Sequence, residues 1–298
     1  MGTRSIGVGV PVMPAPSVTR AARLLAELAA HPDDDATLSQ LARRLQINKT
    51  SCQSLLLALV DEGLVIRGSD RRYRLGSGLI SLGEAAKASL RVPELVEPEL
   101  LGLSGEFGVT ALSGVRSGHD LVLIATHEVM DPLGLGIRLG QRLPLQAPFG
   151  PVYLAWEAPS AVEAWIARSD PPLDHVERDE AHEVLRRVRS RGCSITVRRP
   201  DSQRATAVEP GGNSRDPSGP SKSRRIHMEY PGPTEGVPGW SLLGVGAPVF
   251  GRAGEMVCSV AVTAFPFPLG PVEIDHVAAR VMASASTITR TLGGGPVP

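Results

Sequence analysis

Apolar residues recur at helical spacing along the front of the chain. Val18, Ala21, Leu24, Leu25 and Leu28 form one stripe. Ser17 is the expected N-cap of that helix, and His31-Pro32-Asp33 its stop. Thr37-Leu38-Ser39-Gln40 has the spacing of a capping box, with Leu38, Leu41, Ala42 and Leu45 as the inner face of a second helix. Gln46-Ile47 leaves room only for a tight turn. Asn48 then caps a third helix whose inner face is Cys52, Leu55, Leu56 and Leu59. After Gly63 the pattern changes to that of strands: Leu64-Val65-Ile66-Arg67 and Arg72-Tyr73-Arg74-Leu75 flank the turn Gly68-Ser69-Asp70-Arg71. Leu79, Ile80, Leu82, Ala85 and Ala86 predict one more helix, stopped near Pro93.

The rest of the chain mixes both periods. A helix is expected over 99–107, and strands over 109–115, 121–128 and 133–139, with Gly118-His119-Asp120 as a hairpin turn. Short helices follow over 151–156 and 160–168, and a longer one over 179–191. Strands over 242–250 and 256–264 flank the turn Gly251-Arg252-Ala253-Gly254, and a last helix covers 272–292. Repeated βαβ units are missing, so the class is α+β with a mostly antiparallel, GAF-like sheet domain. The segment 200–238 is rich in Pro, Gly, Ser and charge and reads as a disordered insertion. Its Ser221-Lys222-Ser223-Arg224-Arg225 is a small basic cluster, read as a solvated loop.

Chemistry concentrates on the outer face of the third helix. Lys49, Thr50, Ser51, Gln53 and Ser54 stand at its N-terminal end. Helix N-termini favour phosphate oxygens, and hydroxyl and amide side chains can read base edges in a major groove. Arg67, Arg71, Arg72 and Arg74 at the following hairpin are placed to lie along a phosphate backbone. We take Thr37, Lys49, Thr50, Ser51, Gln53, Ser54, Arg67, Arg71 and Arg72 as candidate DNA contacts.

Charge agrees with this. The chain is 298 residues long with zero net charge, yet residues 1–91 hold 12 Lys+Arg against 8 Asp+Glu, and the remainder 19 against 23. A basic front and an acidic rear suit docking of one end on nucleic acid.

The blocks Leu38-Ser39-Gln40-Leu41-Ala42-Arg43-Arg44-Leu45, Asn48-Lys49-Thr50-Ser51, Gly63-Leu64-Val65, Tyr73-Arg74-Leu75-Gly76 and Leu79-Ile80-Ser81-Leu82-Gly83 resemble the winged helix–turn–helix of the IclR family of bacterial transcription regulators. Ser54 stands where that family usually carries arginine. The second half resembles the family's effector domain at Gly140-Gln141-Arg142-Leu143-Pro144-Leu145-Gln146-Ala147, Arg187-Val188-Arg189-Ser190-Arg191-Gly192, Gly246-Ala247-Pro248-Val249-Phe250 and Val260-Ala261-Val262-Thr263. Gln146 replaces a usual histidine, and Arg198-Arg199 occupies the place of an acidic pair. The resemblance implies a pocket lined by Pro148, Phe149, Thr196, Gly244, Ala261 and Thr263, with Gly244 where cysteine is common and Ala261 where serine is common.

The resulting organisation is a disordered tail (1–16), a winged helix–turn–helix (17–77), a linker helix (78–91), an effector-binding domain (92–292) containing the insertion, and a tail (293–298). The resemblance implies a homodimer or dimer of dimers on a palindromic operator in double-stranded DNA. It also implies a small organic-acid or aromatic effector, and repression as the commoner outcome. The linker helix would contribute to dimer contacts.

Other classes fare worse. No stretch approaches a membrane span, the N-terminal run is a poor signal peptide, and Met1-Gly2 lacks the myristoylation pattern, so a cytoplasmic location is expected. No histidine pair has metal-ligand spacing, Gly134–Gly140 departs from a dinucleotide loop, and no cofactor or enzymatic activity is expected. Cys52, Cys193 and Cys258 lack metal spacing. With no activating His or Lys beside them, Cys193 and Cys258 read as core residues rather than a thiol sensor. The alternative to a ligand-responsive regulator is a winged-helix protein whose sensor domain only oligomerises. The departures at Gln146, Gly244, Ala261 and Arg198-Arg199 motivate it.

Overall fold

The computed structural model describes residues 15–31, 34–90, 92–128, 138–198, 227–230 and 241–295. The chain divides into two compact units, Met1–Ser89 and Leu90–Pro298.

The first unit is a winged helix–turn–helix. Its elements are α1 (Pro16–Ala30), β1 (Ala36–Thr37), α2 (Leu38–Arg44), α3 (Lys49–Asp61), β2 (Val65–Arg67), β3 (Arg72–Leu75) and α4 (Gly78–Leu90). The local signals are realised as read. Thr37 and Gln40 form the reciprocal capping box of α2, and the Asn48 side chain accepts from the Ser51 amide at 2.7 Å. Leu24, Leu28, Leu41, Cys52, Leu56, Leu59, Val65 and Tyr73 make one core. Gln46, in the α2–α3 turn, has φ 56°, a left-handed conformation that L-residues other than Asn, Asp and His rarely adopt. The strands order as β1-β3-β2, all antiparallel.

Two expectations change here. Helix α1 begins at Pro16 after Ala15, without a side-chain cap, so Ser17 is inside the helix. Val18 is 67% exposed, because the helical stripe outruns the core it packs on. On α4, Ile80 is 67% and Leu82 58% exposed.

The second unit contains α5 (Pro93–Phe107), β4 (Thr110–Ser117), β5 (Asp120–His127), β6 (Arg142–Pro144), a 3-10 turn (Pro151–Tyr153), α6 (Pro159–Ala167), α7 (His175–Arg191), β7 (Ser194–Arg198), β8 (His227–Glu229), β9 (Ser241–Phe250), β10 (Met256–Thr263) and α8 (Pro271–Thr291). The seven strands form one antiparallel sheet in the order β6-β5-β4-β10-β9-β7-β8. This is the α+β, antiparallel-sheet class expected.

One face of the sheet is a dense core. Ala111, Ile195, Val197, Val245, Ala247, Val249, Cys258, Val260 and Val262 pack with Leu100 and Leu103 of α5 and Ile274, Val277, Val281 and Ile288 of α8. Branched residues at every second strand position build that face. A second cluster joins Leu145, Val152, Tyr153, Trp165, Ile166, Leu185 and Val188.

Several boundaries move. Helix α5 starts at Pro93 and runs through Pro98, which lies on its exposed side, where the lost backbone hydrogen bond can be replaced by water. The expected helix over 151–156 is only the 3-10 turn, and Arg142–Pro144 is a strand no pattern announced. The strand expected over 133–139 falls mostly outside the described residues, and Leu139 sits in a turn. Most of the two tails and much of 200–238 also lie outside them, although Pro16, expected in the first tail, begins α1.

Within 200–238, however, His227–Glu229 pairs with β7, and Tyr230 is buried in the main core at 2% exposure. The reading of the whole segment as a disordered insertion is therefore corrected. Pairing with a neighbouring strand stabilises a three-residue strand that carries almost no sequence signal of its own.

Candidate DNA interface and effector site

In the first unit the exposed face of α3 carries Lys49, Thr50, Gln53 and Ser54, while Ser51 is partly covered. Cys52, Leu56 and Leu59 anchor the opposite side, so the polar residues are held outward by the core beneath them. The Ser54 hydroxyl donates to the Thr50 carbonyl at 3.1 Å, one turn back along the helix. Leu57 is 58% exposed and follows Gln53 by one helical turn, an outward apolar position the sequence reading did not include.

The four wing arginines are not equivalent. Arg72 donates to the Asp35 carbonyl and pairs with Asp70 at 3.6 Å. Arg74 pairs with Asp35 at 3.6 Å. The Arg67 guanidinium lies 5.7 Å from the Tyr73 ring centre, a cation–π distance. Arg71 has no side-chain partner among the described residues, and it occupies the wing tip with φ 63°. Among the described residues, Arg71 and Lys49 are thus cations with no acidic partner, whereas Arg72 is engaged internally. Thr37 spends its hydroxyl in the α2 cap.

In the second unit, strand register brings three predicted residues into one row. Thr263 stands opposite Gly244, and Gly244 opposite Thr196. Ala261 stands opposite Gly246 in the next row on the same face. These positions alternate with the branched residues of the core, so they lie on the sheet's other face. That face is small and only partly buried: Thr196, Gly244, Gly246, Ala261 and Thr263 all retain some exposure.

Backbone approach keeps it flat. A Cβ on Gly244 would stand 2.8 Å from the Val262 carbonyl, whereas one on Gly246 would meet only Ala261 Cβ at 3.7 Å and Val152 at 4.0 Å. The Thr263 hydroxyl donates to the Leu243 carbonyl at 2.7 Å. The 3-10 turn covers the neighbouring part of this face, where the buried Tyr153 hydroxyl reaches the Gly114 carbonyl and Ser259. Burial pushes the Tyr153 phenol well above its ordinary range.

Pro148 and Phe149 belong to the loop leading into that turn. The Phe149 carbonyl accepts from the Trp165 indole at 2.8 Å, and its side chain is 46% exposed. Leu112 and Thr126 lie in the Ala261 row and were missed; the two-residue period of their strands was the available signal.

The cysteines are buried, and burial pushes the Cys193 and Cys258 thiols up to about 12. Among the described residues no group of His, Cys, Asp and Glu could hold a metal ion, and no helix is long and apolar enough to cross a membrane.

A sequence profile of the MarR family matches residues 16–73, the winged helix–turn–helix alone. Nearly the whole chain aligns with solved structures of IclR regulators. One is from Alicyclobacillus acidocaldarius (23% identity, 94% of this chain and 100% of that one, TM-score 0.65). Another is from Silicibacter sp. (19% identity, 95% and 98%, TM-score 0.66). The chain has the fold of the IclR regulators. An IclR homologue from Microbacterium hydrocarbonoxydans, solved with 4-hydroxybenzoate, shares that fold (17% identity, 93% and 99%, TM-score 0.60). A comparison with curated proteins finds no match. The IclR-type fold accounts for both halves together, which the MarR-type profile does not.

Proposed function

We propose that this protein is a sequence-specific DNA-binding transcription repressor, acting in the cytoplasm without cofactor or enzymatic activity, whose operator affinity is set by a small organic-acid or aromatic ligand. The observation that carries this reading is the exposed polar N-terminal face of α3 on a winged-helix scaffold, with Lys49 and Arg71 that have no acidic partner among the described residues. Thr50 and Gln53 read bases there, with Thr37, Ser51 and Ser54 at the edge of the contact. Lys49, Arg67 and Arg71 hold phosphates. Arg72 serves the wing's own structure.

The open face of the sheet, with Thr196, Gly244, Ala261 and Thr263 as its floor and Pro148 and Phe149 in the adjacent loop, holds the effector. The homologue solved with 4-hydroxybenzoate supports the ligand class. The exposed Ile80 and Leu82 of α4 support a homodimer or dimer of dimers, which would bury them. Because Cys193 and Cys258 are buried with raised pKa, a thiol-based sensor has no support.

Footprinting on DNA flanking the protein's own coding region tests the proposal. Two protected half-sites about one helical turn apart are expected, with protection changed by an added metabolite. Equal affinity for any duplex would overturn it. Site-specific protection that no metabolite alters would favour the alternative, a sensor domain that only oligomerises.

A further inference from the structure

The open face carries one group that the reading so far leaves unused. Ile195 and Val197 both point into the core. Strand alternation therefore sends Thr196 and Arg198 to the opposite side, where Thr196 joins Gly244 and Thr263. Arg198 thus stands two residues beyond the floor of the proposed effector site, on the same face. Its Nε is buried and, among the described residues, has no hydrogen-bond partner.

The carboxylate on that face does not serve it. Glu229, opposite Thr196, receives Arg191 Nη1 at 2.7 Å, Ser194 Oγ at 2.7 Å and the Ile195 amide at 2.9 Å. The cation that Glu229 faces is Arg191. Among the described residues, the charge of Arg198 is left without a counter-ion. A buried guanidinium N–H without an acceptor is unfavourable, and a bound anion removes the deficit.

We propose that Arg198 is the specificity-determining residue of this face, holding the carboxylate of a small planar acid that lies over the Gly244–Thr263 row. This rests on the reading of the open face as the effector site. An arginine offers Nε and an adjacent Nη as a parallel fork matched to the two oxygens of a carboxylate. The floor of Gly244, Gly246 and Ala261 presents no side chain larger than a methyl, and the Thr263 hydroxyl is already spent on Leu243. A flat apolar body with one anionic end fits such a surface. A neutral analogue of the same shape leaves Arg198 Nε unpartnered and binds more weakly.

The test is a nuclear magnetic resonance titration of the full-length protein. The probes are benzoate and 4-hydroxybenzoate, each with its uncharged amide. The Arg198 Nε–H resonance reports the fork, and the Ala261 and Thr263 methyls report occupancy of the floor. The acids should shift all three signals saturably, and the amides should bind at least about tenfold more weakly. Arg198→Gln should abolish that difference, while Arg198→Lys, which keeps charge but not the fork, should retain part of it. Thermal melting of each variant checks the fold. Acids and amides that shift the methyls with equal affinity, in the parent and in Arg198→Gln alike, would overturn the role of Arg198 and leave the effector site standing. Silent methyls with every probe would overturn both.

Discussion

Arg191, the last residue of α7, holds the buried carboxylate of Glu229 at 2.7 Å. The pair fastens β8, the strand at the end of the sheet, to the helix preceding β7. Burial outweighs these contacts and raises the Glu229 pKa from 4.5 to about 7. A carboxyl with a raised pKa favours the folded state in its protonated form. The associated stability is present below 4.5 and is lost as pH rises through about 7. Glu229→Gln keeps the shape and removes the charge. Denaturation of the parent across neutral pH should show stability falling as pH rises, and the variant should lack that component. A slope that survives the substitution would assign it to other groups.

Tyr230 gives a second test of the same region. Its ring is buried in the main core, yet among the described residues its hydroxyl has no hydrogen-bond partner. Tyr230→Ala should cost about 3–5 kcal/mol, as for other large aromatic truncations. Tyr230→Phe should be neutral or stabilising, since it deletes an unsatisfied group. Deleting residues 202–236 should abolish cooperative melting, because β8 and Tyr230 go with them. A deletion variant that melts like the parent would show that this strand is dispensable.

On the DNA side, Gln53→Ala should cost about 1–3 kcal/mol on the operator and relax preference at one position. Lys49→Ala should weaken all sequences alike and flatten the salt dependence. Gel-shift titrations on operator and random duplex decide this. Equal weakening of both by Gln53→Ala would remove it from base readout.

The wing arginines should separate by mechanism. Arg71→Gly relieves a left-handed φ of 63° and removes a cation that is unpaired among the described residues. Unfolding stability should stay within about 1 kcal/mol of the parent, while DNA affinity falls with a shallower salt slope. Arg72→Ala removes the link to Asp35 and Asp70 and should lower stability. The reverse pattern would exchange their roles.

The two floor glycines should also part. Gly246→Ala meets only ordinary contacts, so the fold should hold while the effector site narrows. Gly244→Ala drives a Cβ against the Val262 carbonyl and should lower the melting temperature. Comparable melting of the two variants would show that β10 yields there.

What could be read from sequence was whatever is settled within a few residues. The Thr37–Gln40 box and the Asn48 cap are interactions three residues apart, so their spacing announces them. The row of Thr196, Gly244 and Thr263 was named through family resemblance, and strand register explains why those residues meet. The misses are contacts across distance. Arg72 looks like any basic wing residue until Asp35, 37 positions earlier, takes its guanidinium. Val18 continues a helical stripe past the end of its core. The strand His227–Glu229 becomes visible only once β7 lies beside it.

The alternation along β7, β9 and β10 has a consequence for how such a protein can change over time. Each strand assigns one set of positions to holding the molecule together and the interleaved set to facing whatever binds. A substitution at Thr196, Gly246, Ala261 or Thr263 alters the surface offered to a ligand and leaves Ile195, Val245, Val260 and Val262 untouched. New chemical tastes can therefore be acquired one residue at a time without first weakening the scaffold. Insertion or deletion of a single residue within these strands would exchange the two sets at once. Lineages carrying this sheet should diverge in it by replacement and vary in length only between its strands.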